Sequence, residues 1–201
     1  MLAGGRMERV AHLLSYALHP AVLMVGTMVA LSACGRGSLA LSLLDAAILL
    51  AGLLPGLAYI AVKARRGEFS HYHLLLKEER RVVLPLLLLG LLGSLLVFWL
   101  SGAPRFVVDG LLIGLLGGIG VTVITRFWKI SLHATVSMAC AAFCLPVSLP
   151  LAGLMALIAL LTGLARLPIK HHTPAQVLAG WAYGLGVTGL LLWLLGYFAG
   201  A

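Results

Sequence analysis

The chain has 201 residues, 62% of them hydrophobic and only 10% charged, with a mean hydropathy of +1.10. Stretches of about 20 apolar residues, enough to cross a hydrocarbon layer roughly 30 Å thick, recur along it, which excludes a water-soluble domain. Net charge is +8, from 14 Lys and Arg against 6 Asp and Glu. The cations stand in short polar stretches beside apolar ones, so anionic headgroups and membrane orientation account for them, and no nucleic-acid partner is expected.

Seven apolar segments are predicted, at about 10–33, 39–62, 82–100, 106–125, 134–146, 149–165 and 175–198. Each is expected to be a helix, because backbone polar groups cannot be left open in lipid. The first runs too long for a signal-peptide core, so no cleaved leader is expected. It carries His12 and His19, read as packing residues, with His19-Pro20 as a kink. Asp45 in the second segment and Asp109 near the start of the fourth read as interfacial or packed carboxylates rather than a proton relay. His71 and His73 have metal-like spacing but no acidic or thiol companions, so no metal site is expected.

Gly110, Gly114 and Gly118 form a GxxxGxxxG stripe in the fourth segment, suited to close helix packing within the subunit or to a homo-oligomer. The fifth segment is short for a full span. Cys34, Cys140 and Cys144 read as packing residues without a disulfide framework. The expected fold is therefore all-α: a polytopic membrane helical bundle of about six to seven transmembrane helices, forming one integral-membrane domain over residues 1–201.

With seven crossings, the N-terminus and the stretches after segments two, four and six share one face. That face would carry Arg6, Arg9, Lys63, Arg65, Arg66, Lys77, Arg80, Arg81, Arg126, Lys129, Arg166 and Lys170, and the other only Arg36 and Arg105. The asymmetry predicts that the crowded face is cytoplasmic. Three polar clusters fall on it: HYHLLLKEERR (71–81), RFWKISLHA (126–134) and RLPIKHHTPAQ (166–176). They are rich in Lys, Arg and His and poor in carboxylate. Such a set suits an anion with several oxygens, phosphate above all, and two separated imidazoles suit a nucleophile and an acid.

These clusters resemble the type 2 phosphatidic acid phosphatase (PAP2) superfamily, whose signature is K-x6-R-P, then P-S-G-H, then S-R-x5-H-x3-D. The third block is matched by Arg166 and His172 at the family spacing, with Gln176 where the family has Asp. The second stands as Ile130-Ser131-Leu132-His133, keeping Ser and His without Pro and Gly. In the first, Leu84 replaces Arg seven residues after Lys77, though Pro85 follows; Arg80 or Arg81, one helical turn from Lys77, could supply the cation. Two apolar segments between His133 and Arg166 make a helical hairpin that returns the chain to the same face. The resemblance covers about residues 77–184.

The resemblance implies a PAP2-like core in which His172 attacks phosphorus and His133 protonates the leaving alkoxide and then activates water. It implies that Lys77, Arg80 or Arg81, Ser131 and Arg166 hold the phosphoryl oxygens, and that Gln176 orients His172 by accepting from its imidazole. No cofactor is required. The expected function is hydrolysis of a lipid phosphate or isoprenoid (di)phosphate at the cytoplasmic face. The alternatives are a non-catalytic lipid-phosphate binder or transporter, a lipid phosphotransferase using the same phosphohistidine, and a structural protein packed through its glycine stripe.

Overall fold

The computed structural model describes residues 2–70 and 76–199, so His71 and His73 lie outside the described residues. Among the described residues every regular element is an α-helix: α1 (Leu2–Ala17), α2 (Pro20–Arg36), α3 (Leu39–Arg65), α4 (Lys77–Leu100), α5 (Arg105–Phe127), α6 (Leu132–Cys144), α7 (Leu149–Leu164) and α8 (Pro174–Leu194). The segment expected at 10–33 is thus two helices, meeting at 51°. Pro20 disfavours a helical His19 and has no N–H to continue the ladder, so it opens a new helix instead. His19 caps that helix, its Nδ1 accepting from the Ala21 N–H at 3.3 Å.

Helices α3, α4, α5 and α8 are each long and apolar enough to cross a membrane, and the bent pair of α1 and α2 makes a fifth candidate if it counts as one span. This is a multi-pass membrane protein. Helices α6 and α7 have 13 and 16 residues, or about 20 and 24 Å at the helical rise, both short of a bilayer core.

The chain forms two compact units, Met28–Lys129 and a discontinuous one made of Met1–Thr27 with Ile130–Ala201. In the continuous unit α4 packs on both α3 and α5. Gly52 and Gly90 bring the α3 and α4 backbones together, and a Cβ on Gly90 would collide with the Gly52 carbonyl. Ser94 lies at the same crossing, donating to the Gly90 and Ile48 carbonyls at 3.2 and 3.3 Å. The stripe on α5 is used here too: Leu91 faces Gly114 and Leu88 faces Gly118. Asp45 is a packed carboxylate. It accepts from Ser32 at 2.5 Å and pairs with Arg36 at 2.9 Å, joining α3 to α2.

In the discontinuous unit α6 lies against both α7 and α8. Its small side chains, among them Ala134, Ser137, Ala141 and Cys144, are buried, which lets neighbouring backbones approach. Gly180 on α8 is seated against Ser131 and Ala134, where a Cβ would come within 2.8 Å of the Ser131 carbonyl oxygen and 2.9 Å of the Ala134 Cβ. One turn later Gly184 meets the Thr135 carbonyl and the Ala139 N–H in the same way. Trp181 locks α8 to α7, covering Gly163 and donating from Nε1 to the Ala159 carbonyl at 3.1 Å.

Candidate active site

The starts of α6 and α8 are joined directly, because the Ser131 N–H donates to the Gln176 carbonyl at 3.2 Å. Ser131 and Thr173 are the N-caps of the two helices, their hydroxyls accepting from Ala134 N–H (3.5 Å) and Gln176 N–H (3.3 Å). His133 lies in the first turn of α6 and His172 immediately precedes the α8 cap; both are buried. Two positive helix ends therefore serve one region, an arrangement that favours anions.

Gln176 Oε1 is the hydrogen-bond partner of His172 Nδ1. Its Oε1 accepts from the Thr173 N–H at 3.2 Å, completing a capping box, and the same oxygen lies 3.0 Å from His172 Nδ1. An oxygen that already accepts from a backbone amide can only accept from the imidazole as well. The His172 Nδ1 therefore carries a proton.

Arg166 follows the α7 cap, with its N–H on the Gly163 carbonyl at 3.1 Å and its side chain fully buried. Its Nη2 lies 2.8 Å from His171 Nδ1. The turn between them closes with Lys170 N–H on the Leu167 carbonyl at 3.0 Å, and Lys170 itself has φ 54°. A left-handed lysine costs about 1–2 kcal/mol. That backbone reversal precedes the two histidines directly. The electrostatics are one-sided, since the only acid in this unit's sequence is Glu8, which is exposed, against Arg6, Arg9, Arg166 and Lys170.

Ser131, His133, Arg166, His172 and Gln176 thus all belong to the discontinuous unit. Lys77, Arg80 and Arg81 belong to the other. There Lys77 opens α4, Arg80 is buried in its first turn, and the exposed Arg81 donates to the Arg126 carbonyl at the end of α5 at 3.1 Å. Glu79 is buried and accepts from the Ser70 hydroxyl and from the Leu76 N–H.

Three histidines gain a place that sequence reasoning did not assign to them. The His12 ring stands edge-on to His171 at 5.9 Å between centroids, and the His19 ring edge-on to His133 at 5.6 Å. The field of Arg166 also reaches His19. No family model, curated protein or solved structure matches this chain.

Proposed function

We propose that the protein is a membrane phosphatase of the PAP2 type, cleaving a lipid phosphate or isoprenoid (di)phosphate through a phosphohistidine. The observation that carries this reading is the chain from Thr173 N–H to Gln176 Oε1 to His172 Nδ1, in one loop with the buried Arg166, which leaves Nε2 as the nitrogen to act as nucleophile in this reading. His172 Nε2 attacks phosphorus and the bond to the leaving oxygen breaks, with His133 giving that oxygen a proton. Water then attacks the phosphohistidine, His133 takes its proton, the P–N bond breaks, and inorganic phosphate leaves. Arg166 and the two helix N-termini bind the phosphoryl oxygens and stabilise the charge that spreads over them in the transition state. An apolar body favours an amphiphilic substrate whose tail remains in lipid.

The finer topology belongs to the same proposal. About six to seven transmembrane helices follow from the apolar segments, and the cytoplasmic placement of the motif-bearing loops follows from the cation asymmetry. A transferase reading differs only in that an alcohol replaces water as acceptor.

Purified protein in detergent should release phosphate from at least one of phosphatidic acid, phosphatidylglycerophosphate, farnesyl diphosphate and undecaprenyl diphosphate. His172→Ala should abolish that release. Gln176 in place of a carboxylate favours one second reading, a non-catalytic binder of the same headgroups. Phosphate-analogue binding that survives in His172→Ala, with no turnover by the wild type, would select it.

A further inference from the structure

We infer that His171 is a positioning residue for Arg166, holding the guanidinium through an unprotonated Nδ1 in the orientation from which it grips a phosphoryl group. The inference rests on the phosphate reading of the same site. An arginine has donors only, so an Nη2 to Nδ1 distance of 2.8 Å requires a lone pair on the His171 nitrogen. His171 therefore carries its proton on Nε2, whereas its neighbour His172 carries one on Nδ1.

The surroundings keep this contact in register. Arg166 is fully buried on a loop pinned to the end of α7, and a long side chain of that kind has many rotamers to lose. His171 reaches it because Lys170 reverses the backbone just before it. From α1 the edge-on ring of His12 stands against His171. One hydrogen bond thus fixes one arm of a planar fork, and a fixed fork loses less freedom on gripping two phosphate oxygens. The second imidazole of the His-His pair thereby gains a role that the spacing from Arg166 to His172 does not give it.

The test compares His171→Asn with His171→Gln. The Asn amide oxygen falls at the place of Nδ1, one bond from Cγ, whereas Gln places its acceptor a bond further out. Orthovanadate, a phosphate analogue, is titrated into each purified protein by calorimetry. Asn should retain wild-type affinity, and Gln should weaken it about tenfold, the effect of removing one hydrogen bond to a charged group. Nitrogen-15 NMR of histidine-labelled protein should show His171 Nδ1 unprotonated in the wild type, and Arg166→Lys should disturb that signal. Wild-type vanadate affinity in the Gln variant, or a protonated His171 Nδ1, would overturn the assignment of His171 alone. Failure of the wild type to bind vanadate would overturn the phosphate reading on which it rests.

Discussion

Gln176 serves two donors with a single oxygen, the Thr173 N–H and the His172 imidazole. Removing that acceptor as Gln176→Leu should lower kcat at least tenfold, an energy of about 1.4 kcal/mol, because neither the tautomer nor the ring plane of His172 remains fixed. Gln176→Glu keeps the length, the acceptor and the capping box, and should keep turnover; steady-state phosphate release measures both. At this scale the sequence is a good guide where partners are close along the chain. The spacing of Arg166, His172 and Gln176 lies within one loop and one helical turn, so their proximity could be read there. His12 and His19 could not be read in that way, since their ring partners, His171 and His133, are brought to them only by tertiary packing. His171 falls in the same class, because adjacency to His172 says nothing about which nitrogen meets Arg166.

Among the elements, the α6–α8 contact is the most exposed to substitution. A side chain at Gly184 meets backbone of α6 that has no way to yield, so Gly184→Val should cost of order 1–3 kcal/mol or more and lower the detergent melting temperature. Gly93, with nothing near its absent Cβ, should accept Ala without loss in the same assay. Trp181→Phe, which removes the Nε1 donor to the Ala159 carbonyl, should cost about 1 kcal/mol. Helix positions were largely legible from apolar runs, and the break at Pro20 from the ring itself. The stripe on α5 was legible as a packing device, and the structure assigns Gly114 and Gly118 to α4. The equally regular pair Gly180 and Gly184 carries no such sign of its partner, because Ser131, Ala134 and Thr135 meet it only in the folded chain.

At the level of the whole molecule, side is the first quantity to settle. Cys34 is exposed near the end of α2, whereas Cys140 and Cys144 are buried. An impermeant maleimide should label Cys34 in intact cells and leave Cys140 and Cys144 unmodified until denaturation. In a Cys34→Ser background, Lys170→Cys should label only once the membrane is opened. The reverse pattern would place the histidine loop on the outer surface and reassign the cation asymmetry. The two-unit organisation is the part least visible in sequence: composition is apolar throughout, and nothing along the chain marks Thr27 or Ile130 as boundaries.

That discontinuity has a consequence for biogenesis. The stretch carrying His12 and His19 is synthesised before Met28–Lys129, and the helices it joins come only after that unit has been made, roughly 100 residues later. At ordinary ribosomal speed this is a delay of about 5–20 s. During that interval two imidazoles wait at the translocon with neither His171 nor His133 yet in existence. The bend at Pro20 and the His19 cap on Ala21 need no later residue, so α1 and α2 can take their mutual angle at once. This bent stretch is thus made before the helices of its own unit that later close over it.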